Sequence, residues 1–453
     1  MAMGATLPAL GLMARRQEAS IAKFYGLNTL GAALGVLICA FLLLPAFGIQ
    51  ASVYAISMLN IIVAICAWFM NPDPSKPAPP KTDIAAKAKA ETLPFLMCAV
   101  LAFATGYVTF TLEVAWFRSF ISAFKSTSEA FAVMLSCVLL ALGAGAYFTP
   151  SLKKRANALP AIIAWSGILI LITTPLIERF DLYVGASDPV PGLVFIKWYG
   201  LTLYTIGLPI FLLGISLPWI LDEQSKAHRW SALYSLNALG AVVGAITAAW
   251  LLLPLLGFAR TAWIGGTLLC LLGLVIILAR KDRKWITLSA ASALALTVAI
   301  FFESGVGRDR AQGVSLARQN TEPYELLDFY EGPDATISVV EMTSGRKELY
   351  INGFSTTSEE GQVKYYGIDY MRWMGHAPML MHRDPKRALV ICFGTGQTAN
   401  AVRRENPDAL DIVDINAGVF DMARHFASNE NVLDDERVQP IVMDGRAYIR
   451  RTE

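Results

Sequence analysis

Nine apolar stretches, each close to the length of one bilayer crossing, lie within residues 1–302 and leave this chain few ways to fold. A hydrocarbon core of about 30 Å needs roughly 20 mostly apolar helical residues. The stretches are 28–48, 51–70, 93–110, 130–148, 159–177, 198–220, 232–256, 262–279 and 285–302. In lipid the backbone must satisfy its own hydrogen bonds, so a packed helical bundle is predicted. Residues 303–453 have ordinary soluble composition. Charged residues make up only 16% of the whole chain, against about a quarter in soluble domains. The predicted fold class is a multi-pass α-helical membrane bundle followed by an α/β, Rossmann-like domain with a small β part at its start.

The bundle carries an internal repeat. Gly4-Ala5-Thr6-Leu7-Pro8 recurs as Gly214-Ile215-Ser216-Leu217-Pro218. Tyr25, Asn28, Leu30, Gly31, Gly35, Leu42, Leu43, Leu44, Pro45 and Gly48 recur as Tyr234, Asn237, Leu239, Gly240, Gly244, Leu251, Leu252, Leu253, Pro254 and Gly257. So many identities, with the register slipping by only one residue between the two blocks, imply two copies of one helical unit, as in many transporter-like folds. The second copy has about four helices ahead of its Gly-x-Ser-Leu-Pro element and the first has almost nothing, so the front of the first copy is expected to be missing. The division that follows is 1–70, the end of the first repeat; 71–92, a Pro-, Lys- and Ala-rich linker; and 93–302, the second repeat plus an extra helix. Residues 303–387 are a connector with a small β and helix part. Residues 388–453 are an incomplete nucleoside-binding α/β domain.

Lys and Arg give the orientation. Arg15, Arg16 and Lys23 precede the first helix, and Lys76, Lys81, Lys87 and Lys89 follow the second. Lys153, Lys154 and Arg155 follow the fourth, Lys226 and Arg229 the sixth, and Arg280, Lys281, Arg283 and Lys284 the eighth. All fall on one side, predicted to be cytoplasmic in a cell (inner) membrane. The same count delivers the C-terminal domain to the other side. Glu113 and Arg118 come at the end of the third stretch, either as an interfacial ion pair or as a functional site, since charges at membrane depth default to function. Asp222 and Glu223 read as a solvated loop.

The cysteines (Cys39, Cys66, Cys98, Cys137, Cys270, Cys392) sit in apolar runs without CxxC spacing and read as small buried residues. The four histidines show no ligand spacing. No metal is expected, and a formal charge of +2 without a basic aromatic stripe points away from nucleic acid.

In the last third, short strands are expected at 336–341 and 348–351 and a helix at 363–381. A βαβ alternation follows: strand 388–392, glycine loop 393–397, helix 398–405, strand 410–413, helix 417–426 and strand 438–442. Gly394-Thr395-Gly396 joins strand to helix, where glycines admit a ligand to the backbone and the helix start offers free N–H groups. Asp414 ends the next strand, where a carboxylate accepts ribose hydroxyls. Asp444-Gly445 follows the third strand and is placed to meet an adenine amino group. Each of these three also has a purely local reading, as a tight turn, a helix cap and a turn.

From Phe329 onward these residues resemble the spermidine synthases and their aminopropyltransferase relatives. The resemblance rests on Gly332, Leu349-Tyr350-Ile351-Asn352-Gly353, Tyr370, Pro378, His382, Phe393-Gly394-Thr395-Gly396, Asp414 and Asp444-Gly445. The membrane part resembles the fused form of this family, which carries Gly-Ala-Thr-Leu-Pro, Tyr-x-x-Asn-Thr-Leu-Gly and a Glu-Val-x-Trp-x-Arg segment, here Glu113 to Arg118. The resemblance implies decarboxylated S-adenosylmethionine as co-substrate, with no tightly bound cofactor. Gly394, Thr395 and Gly396 would face its methionine portion, Asp414 its ribose, and Asp444 and Gly445 its adenine. Tyr370 would touch a small amine or polyamine acceptor. Where the family has Gln or His and then Glu after that tyrosine, this chain has Met371 and Arg372, which makes the amine side less polar. The catalytic aspartate implied by the resemblance lies on a strand beyond Glu453, so the base is unassigned. Partners implied are the lipid bilayer, the amine and a homo-oligomer. The alternatives are a transporter-like protein with a nucleoside- or polyamine-sensing domain, and an S-adenosylmethionine-dependent methyltransferase.

Overall fold

The computed structural model describes residues 21–69, 93–124, 128–153, 158–177, 191–223, 227–279, 323–359 and 370–452. The Gly4–Pro8 element, the linker 71–92, the stretch 285–302 and the start of the helix expected at 363 lie outside them.

Eight of the nine apolar stretches are helical, and they form six continuous runs long and apolar enough to cross a membrane. Helix α1 (Ile21–Ile38) passes through a wide, π-type turn at Cys39–Leu43 into α2 (Leu44–Phe69). Then come α3 (Phe95–Phe124), α4 (Ser128–Lys153) and α5 (Leu159–Ile177). Helix α6 (Pro191–Thr202) joins α7 (Leu208–Asp222) through a second wide turn, and α8 (Ala227–Thr247) joins α9 (Leu253–Ala279) through a third at Ala248–Leu252.

The α1–α2 and α8–α9 pairs share local geometry. Each has its wide turn nine residues before a glycine that breaks the helix, Gly48 (φ 71°, ψ 178°) and Gly257 (φ 74°, ψ 173°). Four residues on, Ser52 Oγ donates to the Gly48 carbonyl at 2.6 Å, and Thr261 Oγ1 to that of Gly257 at 2.7 Å. Such back-bonding satisfies a hydroxyl where no water is at hand.

Small residues set the helix contacts, as expected where association depends on close packing. Gly240 and Gly244 of α8 press on the Phe103 and Tyr107 carbonyls of α3, leaving no room for a β-carbon. Beside them Asn237 Nδ2 donates to the Ala102 carbonyl at 2.8 Å. Gly26 of α1 packs on Gly143 and Tyr147 of α4 in the same manner. The bundle interior is filled by Trp116, Phe120, Met134, Trp219 and aliphatic neighbours. Outward side chains such as Trp68, Phe69, Trp250 and Leu255 are exposed.

Three expectations for this region change. Helix α3 runs on past Phe110 to Phe124, because Trp116, Phe120 and Ile121 continue its buried face, so Glu113 and Arg118 lie within the helix. The Glu223 side chain is only 6% exposed rather than solvated: Lys153 Nζ lies 3.1 Å from it and 3.0 Å from the exposed Asp222. Cys66 and Cys392 are exposed, while Cys98, Cys137 and Cys270 are buried.

The last third begins with an antiparallel meander of β1 (Tyr324–Glu331), β2 (Thr336–Met342), β3 (Lys347–Ile351) and β4 (Phe354–Glu359). Helix α10 (Tyr370–Met381) leads to a parallel sheet in the order β5 (Arg387–Ile391), β6 (Ala409–Asp414), β7 (Val438–Val442). Helices α11 (Gln397–Arg404) and α12 (Ala417–Met422) make the connections, and α13 (Gly445–Thr452) follows β7. Ile337, Val339 and Leu349 of the meander share one core with Val390, Leu410, Ile412 and Val419 of the parallel layer, which fixes the meander against the strand ends.

Candidate functional site

The three parallel strands deliver three of the singled-out elements to one edge. Strand β5 ends in Ile391, and the chain then turns through Cys392 (φ 72°), Gly394 (φ 59°) and Gly396 (φ 84°) into α11. Positive φ at Gly394 and Gly396 is the reason for glycine there, since a β-carbon strains that conformation. The loop is narrow. Gly394 faces Thr357 of β4, and Gly396 is wedged between Phe393 and Asn429. Thr395 is buried.

Asp414, the last residue of β6, is buried beneath that loop. Its Oδ2 accepts the Phe393 N–H at 2.8 Å, and its Oδ1 accepts that of Asn416 at 2.9 Å. An ionised carboxylate has about four acceptor sites. Two backbone amides therefore orient Asp414 and leave acceptor capacity for a ligand.

Asp444 stands two residues past β7 and is exposed. Its Oδ1 accepts the Ala447 N–H at 2.8 Å, so it caps α13, with Oδ2 uncommitted among the described residues. Gly445 lies against Ile391, which ties this corner to the end of β5. The local readings change: Asp414 closes a turn on Asn416 rather than capping α12, whose N-cap is Asn416, and Asp444 caps a helix rather than closing a turn; neither contact exhausts the side chain.

Tyr370 starts α10 and is 60% exposed. Its neighbour Met371 accepts at its carbonyl from Thr398 Oγ1, 2.8 Å, which ties the start of α10 to the residue two after Gly396. Gly375 lets α10 approach α11 closely.

Other residues of the site escape a sequence reading. Gln397 Nε2 donates to the Ser358 carbonyl at 2.9 Å, fastening β4 to the glycine loop. Buried Asn429 donates to the carbonyls of Thr395 (3.2 Å) and Ala423 (2.8 Å) and accepts from Asn431 N–H. Asn429 lies 34 residues from Thr395 in a polar loop, and no local pattern announces it.

A family model for the spermine/spermidine synthase domain matches residues 368–453. The polyamine aminopropyltransferase of Archaeoglobus fulgidus is 30% identical over 118 residues, covering 26% of this chain and 42% of the relative. That of Erwinia tasmaniensis is 31% identical over 152 residues, covering 33% and 48%. The chain spans less than half the length of these curated relatives. Among solved structures, spermidine synthase from Thermotoga maritima aligns at 22% identity with a TM-score of 0.25, over 28% of this chain and 43% of that one. A spermidine synthase in complex with the transition-state analogue AdoDATO gives the same identity and TM-score, over 28% and 42%. The residues matched by the spermine/spermidine synthase model, 368–453, are the ones that hold the glycine loop, Asp414 and the Asp444-Gly445 corner.

Proposed function

We propose that this chain is a membrane-embedded, spermidine synthase-like protein whose C-terminal domain binds decarboxylated S-adenosylmethionine and passes its aminopropyl group to an amine. The observation that carries this reading is Asp414, held by the amides of Phe393 and Asn416 at the edge where the glycine loop opens. In the reaction an amine nitrogen attacks the carbon beside the sulfonium. The new C–N bond forms as the C–S bond breaks, methylthioadenosine leaves, and the amine sheds a proton. The sulfonium is already a good leaving group, so the protein's main task is to position the reactants. Gly394 and Gly396 admit the nucleotide to the backbone, Asp414 accepts from the ribose hydroxyls, and Asp444 turns its free oxygen to the adenine amine. Tyr370 borders the acceptor side. The residue that removes the amine proton is unassigned.

A soluble protein rarely leaves as much apolar surface exposed as α1, α2, α8 and α9 do, which supports a bilayer around them. The matched breaks at Gly48 and Gly257 favour two copies of one helical unit. The test is calorimetric binding of methylthioadenosine to the full chain in lipid nanodiscs. Micromolar binding lost in Asp414→Ala supports the proposal, and no binding by the parent chain refutes it.

A further inference from the structure

Arg118 leaves the bundle and enters the synthase-like domain. The side chain, 8% exposed on α3, places Nε 3.2 Å from Oε1 of Glu331, whose own side chain is 2% exposed. One terminal nitrogen, NH2, donates to the carbonyls of Gly332 at 3.0 Å and Pro333 at 2.9 Å. One guanidinium thus grips a carboxylate and two carbonyls of the turn between β1 and β2. Its fork suits such a set of acceptors, and the compact ammonium of lysine would not span them. Thr336 Oγ1 donates to the Glu331 carboxylate from the far side of the turn, at 3.0 and 3.1 Å to its two oxygens. Gly332 N–H closes the turn on the Ala335 carbonyl at 2.9 Å.

The next residue back along β1 connects this turn to the candidate site. The ring of Tyr330 lies on Gly418 so closely that a β-carbon there would overlap it. Gly418 is the second residue of α12, four after Asp414. A continuous packed path therefore runs from Arg118 through Glu331 and Tyr330 to the segment that follows Asp414.

We propose that Arg118 is a positioning residue: it clamps the β1–β2 turn to the end of the helical bundle and, through Tyr330 on Gly418, sets the segment that carries Asp414. The part concerning ligand rests on the reading of Asp414 as the nucleoside carboxylate. The clamp itself does not. It gives the Glu-Val-x-Trp-x-Arg segment a role in holding the soluble site, with no transported solute required.

The experiment uses the full chain in nanodiscs. Amide hydrogen exchange is followed at 328–337 and 415–420, with methylthioadenosine binding measured in parallel. Arg118→Met should raise exchange in both segments and leave 397–404 unchanged. Binding should weaken by roughly two- to thirtyfold, the range for coupling through packed contacts. Arg118→Lys should recover only part of the protection. Arg118→Met combined with Glu331→Met should be less damaged than the two single changes summed, because an unpaired buried charge is the costly state. Asp414→Ala should weaken binding roughly ten- to hundredfold without raising exchange at 328–337. Unchanged exchange at 415–420 in Arg118→Met, or strict additivity with Glu331→Met, would overturn the clamp. A parent chain that does not bind methylthioadenosine defeats the nucleoside reading alone, and the exchange results then decide the clamp.

Discussion

Asp414 and Phe393 are joined by a 2.8 Å hydrogen bond from the backbone N–H of one strand end to the carboxylate of the next. That bond couples the shape of the glycine loop to the charge proposed to hold ribose, so one substitution tests both. Asp414→Ala leaves the Phe393 and Asn416 amides without their acceptor and removes the ribose partner. An unsatisfied buried group costs roughly 1–3 kcal/mol. Methylthioadenosine affinity should fall roughly ten- to hundredfold by calorimetry. Asp444→Ala should cost less, because its exposed contact is replaceable by water. Equal losses from the two substitutions would show that Asp414 has no special role.

Glu331 gives the clamp a pH dependence of definite sign. Burial pushes its carboxyl up from 4.5 to about 7, against the opposing pull of Arg118 and Thr336. The folded state therefore holds a proton between about 4.5 and 7 that the unfolded chain has released. Stability from this group is full below 4.5 and is lost as pH rises through 7. Thermal unfolding between pH 5 and 8 should show a downward slope in the parent chain that Glu331→Gln flattens. Parallel curves for the two proteins would remove Glu331 as the cause.

The clamp also fixes which end of the bundle bears the soluble domain. Ser119, next to Arg118, donates to the Ile177 carbonyl at the end of α5. Lys153, Asp222 and Glu223 mark the opposite end. The orientation expected from the Lys and Arg bias places that opposite end on the cytoplasmic side. Single cysteines in the linker 71–92 and at Thr356, in a background lacking the exposed Cys66 and Cys392, should label from opposite sides. Labelling from the same side would reverse one of the two assignments.

Two glycines separate backbone strain from packing. Gly48 has φ 71° with open space around it, so Gly48→Ala should cost about 1–3 kcal/mol through conformation alone. Gly240→Ala meets the Phe103 carbonyl and should cost a similar 1–3 kcal/mol by forcing α8 from α3. Unfolding in detergent reads both, and disulfide cross-linking between α3 and α8 should change only for Gly240→Ala.

Long apolar runs made the helices legible, and the glycine loop and strand-end aspartates made the parallel layer legible. The sequence shows α3 only as far as Phe110, because Glu113 and Arg118 end the apolar window, although Trp116 and Phe120 keep its buried face going. Arg118 itself was visible as an oddity, but its partner Glu331 comes 213 residues later, and only folding brings the two together. Strand β1 was obscured because Glu325, Asp328 and Glu331 interrupt any simple alternation. Strand β4 was obscured by a Ser- and Thr-rich run on a sheet edge. Asp444 shows the limit of motif reading: its position was clear, and the cap it makes on Ala447 was not.

The candidate site is proposed to take the decarboxylated nucleotide. Titration of the full chain in nanodiscs with decarboxylated S-adenosylmethionine and with S-adenosylmethionine, run side by side, tests it most directly. Clear preference for the decarboxylated form, and weakened binding of it by Asp414→Ala, are expected. Tighter binding of the carboxylated form, or binding of neither, would contradict it.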